Sequence, residues 1–249
     1  MNLFARPLAD SLTVALRDTP VVCLLGPRQS GKTTMARTLE PRYAYITLDD
    51  DATLAFARSD PTGFVAALPP QAILDEIQRV PALLRPIKLA VDRDRRPGRL
   101  VLTGSANMLL LPELGDSLAG RMEVVQLQPL TAAEQSRQPG RFLKALLEGS
   151  LKPAIAATAP RAPLALAGRV IAGGFPEAVA RPPDRARAWH REYLRLLLER
   201  DVRDVARVRD TAAVGRLLEM LALRTAELLN LTSLGNDLNL RSETVERYM

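Results

Sequence analysis

The chain has 249 residues, 47% of them hydrophobic, which suits one or two domains with a sizeable core. It lacks a run of about 20 apolar residues, its start Met1-Asn-Leu-Phe-Ala-Arg-Pro lacks the apolar stretch of a secretory signal, and its single Cys23 excludes internal disulfides. The composition therefore predicts a cytoplasmic protein without a membrane span, and the net charge of +6 keeps a nucleic-acid partner in view.

Leu8 to Leu16 has the spacing of an amphipathic helix that packs beside the core. The apolar run Val21-Val22-Cys23-Leu24-Leu25 reads as a buried strand, with Cys23 acting as a small hydrophobe. Gly26-Pro27-Arg28-Gln29-Ser30-Gly31-Lys32-Thr33 follows directly, a G-x-x-x-x-G-K-T octet. A strand, a glycine-rich loop and a helix (here the run Thr34 to Leu39) form the context of a phosphate-binding P-loop. Gly26 and Gly31 allow tight turning and close backbone approach. Amide groups from about Arg28 to Thr34 are expected to face one concavity, where the helix N-terminus adds unpaired N–H groups. Lys32 would reach the β- and γ-phosphates, and the Thr33 hydroxyl would ligate Mg²⁺.

Tyr43 to Leu48 alternates and predicts a second strand. It ends at Asp49 and Asp50, which either face the site or cap the next helix, for which Asp51 suits the N-cap. Asp60-Pro61 opens a short helix, since Pro is tolerated in a first turn. Ala72-Ile73-Leu74 reads as a buried parallel strand, with Asp75 at its C-terminal end, where sites on open α/β sheets collect. Asp75 is expected to hold Mg²⁺ through water, and Glu76 to polarise the attacking water. This Asp-Glu tandem points to an ATPase that carries its own base, so ATP is the expected nucleotide.

Val80 to Val91 predicts a helix kinked at Pro86. Arg99 to Ser105 predicts a further strand; in P-loop ATPases of this kind such a strand is inserted between the P-loop strand and the acidic strand, and ends in a polar group that senses the γ-phosphate. Thr103, Ser105 and Asn107 are the candidates to sense the γ-phosphate, with Ser105 preferred. Arg121 stands in Ser117-Leu-Ala-Gly-Arg121, just before the strand-like Glu123 to Leu127. It is a candidate finger toward the γ-phosphate of its own or a neighbouring subunit, the latter in a homo-oligomer. Strands alternating with helices predict a parallel α/β sheet with both faces covered.

After Pro129 the pattern changes. Thr131-Ala-Ala-Glu134 is a capping box that opens a helix. Residues 150–165 read as an Ala/Pro-rich insertion, and Gly173-Gly174 breaks the helical pattern before Phe175-Pro176. Asp184 is expected to cap a long helix through Val205. His190 lies on it with no second ligand nearby and reads as structural. Basic residues gather at 93–99 and 181–209, the second stretch laced with acids as on a solvated helix. Residues 211–249 resemble the start of a helix-turn-helix, with Ser242 capping the last helix. That helix carries Glu243, Glu246 and only Arg247 as a base reader, so it serves either as a DNA reader or as a helical packing module. The expected domains are 1–130, an ATPase core; 131–210, a helical lid; and 211–249, the start of a winged-helix-like domain.

The chain resembles the prokaryotic AAA-type ATP-binding proteins that carry a C-terminal domain of unknown function. The resemblance rests on the P-loop octet, Leu48-Asp-Asp50, Ile73-Leu-Asp-Glu-Ile-Gln-Arg79, Leu102-Thr-Gly-Ser-Ala-Asn107, Leu118-Ala-Gly-Arg121, Gly173-Gly-Phe-Pro-Glu177 and Leu198-Glu-Arg-Asp-Val202. It implies a P-loop NTPase sheet of the AAA/ASCE type, flanked by helices and followed by a winged-helix segment and a further domain. Family members continue well past the position of Met249, so the expectation is a C-terminally truncated chain. Two functions compete at this level: a Mg-dependent ATPase acting as a nucleotide-driven switch, and a DNA-binding regulator that holds nucleotide without hydrolysing it. A DNA or protein partner is expected through the C-terminal segment.

Overall fold

The computed structural model describes residues 4–105, 118–138, 140–151, 162–201 and 210–249. They belong to two compact units, 1–182 and 183–249.

Five strands make one all-parallel sheet in the first unit: β1 (Val21–Gly26), β2 (Ala44–Thr47), β3 (Ala72–Asp75), β4 (Leu100–Ser105) and β5 (Met122–Gln126). Their order across the sheet is β2-β3-β4-β1-β5. The strand ending at Ser105 thus lies between the P-loop strand and the Asp75 strand, as expected of a P-loop ATPase of this kind. Every residue of β1 is buried, because helices cover both faces. Val21, Cys23 and Leu25 point into one apolar cluster with Leu54, Phe64, Ile87 and Val91. These partners come from α3 (Asp51–Ser59), α4 (Pro61–Ala66) and α5 (Leu84–Arg93). Val22 and Leu24 point the other way, onto Leu12, Ala15, Met35 and Ala36, which belong to α1 (Leu8–Asp18) and α2 (Lys32–Arg37). Burial pushes the Cys23 thiol up to about 12, so it behaves as an inert hydrophobe.

Two local expectations are corrected. Asp50, not Asp51, caps α3: it keeps an extended backbone, and its side chain accepts from Thr53 N at 2.8 Å. Pro86 does not kink a helix. The run from Val80 divides into a 3₁₀ turn, Pro81–Leu83, and α5, so Pro86 falls in a first turn, where its missing N–H costs nothing.

After β5 the described elements of the first unit are helices: α6 (Ala132–Ser136), α7 (Phe142–Leu147), α8 (Ala162–Ala172) and α9 (Pro176–Val179). The capping box of Thr131 and Glu134 is present. Gly173 ends α8 in a left-handed conformation, φ 66°. Gly174 O accepts from Leu130 N at 2.6 Å, which fastens the Gly-Gly-Phe-Pro segment to the stretch between β5 and α6. Most of the Ala/Pro-rich stretch, residues 152–161, lies outside the described residues.

The second unit contains α10 (Pro183–Leu196), continued by a π turn, Leu197–Asp201, and then α11 (Thr211–Leu223), α12 (Leu231–Leu238) and α13 (Ser242–Tyr248). Asp184 lies in the first turn of α10 rather than before it, and the predicted continuation to Val205 passes outside the described residues. Trp189 stacks on Tyr193 at 5.0 Å and meets His190 edge-on. Leu217, Leu234, Leu238 and Val245 form a small core of their own. Ser242 is the first residue of α13, and Arg241 holds the N-cap position without a side-chain bond.

Candidate functional site

The C-terminal ends of β1, β3 and β4 converge on one loop. β1 ends at Gly26, directly opposite Ser105 in the ladder. A Cβ at Gly26 would stand 2.2 Å from Leu127 O, so only glycine fits there. Gly31 caps α2 at φ 100°, a conformation that L side chains avoid. Gln29 adopts φ 60°, which costs about 1 kcal/mol or more for a non-glycine residue. The loop therefore holds a turn of which local preference accounts for only part. The amides of Lys32, Thr33 and Thr34 open α2, where no intrahelical acceptor exists.

Lys32 is 6% exposed. Its Nζ donates to Gly26 O at 3.1 Å and Pro27 O at 2.9 Å, which leaves one of the three ammonium hydrogens for an anion. Burial holds its pKa below the ordinary lysine value; Glu76 and Asp75 oppose that shift, and Arg28 adds to it. Ser30 is 1% exposed, and its Oγ has no hydrogen-bond partner.

Asp75 is buried at the end of β3. Thr33 Oγ1 lies 3.3 Å and 3.2 Å from its two carboxylate oxygens. Tyr45 OH donates to Oδ2 at 2.5 Å, and Thr103 Oγ1 donates to Oδ1. Tyr45 is held by Arg37, 4.2 Å above its ring. Burial, and then the bond to Asp75, push its hydroxyl up to about 12, so it stays a donor. A hydroxyl and a carboxylate meeting beside an anion nest are the hard oxygen donors Mg²⁺ takes, usually one or two from protein with water and phosphate completing the octahedron. The residues present fit both a triphosphate and Mg²⁺.

Glu76 sits in a left-handed backbone conformation, φ 61° and ψ 43°. Its N–H donates to Thr103 Oγ1 at 3.2 Å, and its carboxylate accepts from Gln78 Nε2. Thr103 is fully buried and bonds both acidic residues, so it orients them. Ser105 is partly exposed beside Gly26, and Asn107 lies outside the described residues. Asp49 does not face the loop but pairs with Arg79 at 2.6 Å.

Arg121 is not brought to its own loop. Its backbone oxygen accepts from Val21 N at 3.2 Å, which places it at the start of β1, on the order of 17 Å of extended strand from Gly26. Its guanidinium is bound to Asp92, at 2.5 Å and 3.1 Å. The expectation that it faces the γ-phosphate of its own chain is corrected on that ground.

Sequence reasoning missed a cavity of about 580 Å³ on the α2 side of the loop. Its walls are largely apolar, with Phe4, Met35, Leu127, Leu130, Pro176 and Ala180, and they also include Arg6 and Ser30. The one signal was the segment Gly173-Gly-Phe-Pro-Glu177, singled out without a place in the site.

A covered parallel sheet in this order, with a glycine-rich loop after β1 and Asp75 at the end of β3, is a P-loop NTPase fold of the AAA/ASCE type. Residues 18–136 match the family model described as an AAA domain, and residues 164–249 match a Domain of unknown function (DUF8612). The chain thus joins an AAA domain to a C-terminal domain of unknown function. Uncharacterized proteins of Mycobacterium bovis and Mycobacterium tuberculosis are each 30% identical to it over 250 residues. The matches take in 100% of this chain and 51% of each relative, so the chain spans about half the length of the curated relatives it matches. Among solved structures, the Walker-type ATPase of Pyrococcus abyssi aligns with a TM-score of 0.48 and 16% identity, over 95% of this chain and 89% of that one. The Holliday junction branch migration motor RuvB of Thermotoga maritima aligns at 0.43 and 18%, over 97% and 85%. The replication initiator DnaA, bound to AMPPCP and single-stranded DNA, aligns at 0.45 and 12%, over 99% and 88%. Among the described residues, no helix is long and apolar enough to cross a membrane.

Proposed function

We propose that the chain binds ATP with Mg²⁺ at Gly26 to Thr34 and hydrolyses it, acting as a nucleotide-driven switch. The observation that carries this reading is the meeting of Thr33 and Asp75. They stand 42 positions apart in sequence, yet their side chains lie 3.2 Å apart beside the loop, with Glu76 next in the chain. The triphosphate rests on the loop amides and Lys32, and the nucleoside occupies the cavity, whose volume is in the usual range for a small-molecule site. Mg²⁺, when bound, neutralises charge on the β- and γ-phosphates. Thr33 and Asp75 hold it, Glu76 orients and deprotonates the attacking water, and Ser105 senses the γ-phosphate. Gly174, bonded to Leu130 in the cavity wall, ties the helices after β5 to the nucleotide site. The switch passes its output to a DNA or protein partner through the C-terminal segment, residues 211–249.

Thr33→Val tests the metal half of the site. ATP affinity measured with Mg²⁺ is expected to fall roughly 10- to 100-fold, the usual cost of disturbing a metal's support. Affinity in EDTA is expected to stay at the wild-type level. Equal losses under both conditions would remove Thr33 from the metal site.

A further inference from the structure

The proposed nucleoside cavity contains a cation that the phosphate chemistry does not use. Arg6 lies just before α1 and lines the cavity, with a side chain only 12% exposed. Its Nη2 donates to Gln128 O. Its Nε faces Glu134 Oε1 at 3.2 Å in an ion pair. Glu134 is itself fixed, because its other oxygen accepts from Thr131 N at 2.7 Å. One hydrogen bond and one ion pair therefore hold the guanidinium, while Nε and Nη1 are both buried without a hydrogen-bond partner. A further orphan, Ser30 Oγ, belongs to a residue that lines the same cavity. Burial lowers the Arg6 pKa, and Glu134 opposes that shift; the group stays cationic.

Buried donors in native folds are almost always satisfied, so an orphan calls for an explanation. Here the orphans share a cavity with apolar walls. That combination suits a flat heteroaromatic ring with acceptor atoms on its edge. A guanidinium donates well to purine ring nitrogens, N7 among them, which adenine also presents as acceptors. We infer that Arg6 is a base-recognition residue, donating through Nη1 to an acceptor on the edge of the bound purine; this rests on the nucleotide reading above.

The test compares ATP with inorganic tripolyphosphate, which has no base, in the full chain. In Arg6→Met, ATP affinity is expected to fall about 10- to 100-fold, the cost of losing a charged hydrogen bond, while tripolyphosphate affinity is unchanged. Glu134→Gln, which loosens one of the two anchors of the guanidinium, is expected to lower ATP affinity less than Arg6→Met does, again with tripolyphosphate unchanged. If Arg6→Met does not fold, Arg6→Lys keeps the cation without the planar fork, and the same split is expected at smaller size. Unchanged ATP affinity overturns the inference. So does a parallel loss of ATP and tripolyphosphate, or a loss in Glu134→Gln as large as in Arg6→Met, since either makes Arg6 a structural residue. A wild-type chain that binds neither ligand overturns the nucleotide reading, and this inference with it.

Discussion

Glu76→Gln is expected to abolish ATP turnover while leaving ATP bound. Removing a general base costs typically 10²- to 10⁴-fold, and the substitution touches neither the loop amides nor Lys32. The backbone supports a local effect, because Glu76 is fixed in its left-handed conformation with its N–H on Thr103 Oγ1. That bond does not depend on the side chain. Glutamine keeps the length and loses only the charge. Phosphate release and ATP affinity, measured on the same preparation, check the split. Turnover unchanged in Glu76→Gln would remove Glu76 from the role of general base.

Lys32→Ala is expected to act on binding itself. The side chain is nearly enclosed and donates to two loop carbonyls, Gly26 O and Pro27 O. Alanine removes the cation that meets the phosphates and also strands those two acceptors. A charge-assisted bond is worth about twice a neutral one. The expected loss of ATP affinity is therefore on the order of 10- to 100-fold or more, with turnover lost alongside it. Calorimetric titration with ATP measures the affinity, and thermal unfolding separates a lost contact from a collapsed loop. ATP affinity at the wild-type level in Lys32→Ala would place the nucleotide away from this loop.

The parts of the site that were legible in the sequence are those written in consecutive residues. The octet from Gly26 to Thr33 names its own strand, loop and helix. Asp75 and Glu76 end an apolar run that can only be a buried strand. Ser105 lies beside Gly26 because strand order put its strand next to β1, an order expected from the class of fold and not from the residues of the strand. Residues that reach the site across the fold were not legible. Tyr45 meets Asp75 because β2 pairs with β3 in a register that sets Thr47 opposite Asp75, and nothing local in Tyr43 to Leu48 fixes that register. Arg6 depends on a contact 122 positions away, at Gln128. Arg121 carried an unread signal: all strands run parallel, so a residue just before β5 belongs to the edge of the sheet away from the loop. The cap of α3 differed by one residue because Asp49, Asp50 and Asp51 are chemically alike, and only the bond to Thr53 N separates them.

The most direct test of the account is phosphate release from ATP by the wild-type chain, measured with Mg²⁺ and again with EDTA. The account predicts steady release with Mg²⁺ and none with EDTA, since Thr33 and Asp75 are assigned to the metal. ATP binding without Mg²⁺-dependent release would contradict the ATPase reading, and release that persists in EDTA would contradict the roles given to Thr33 and Asp75.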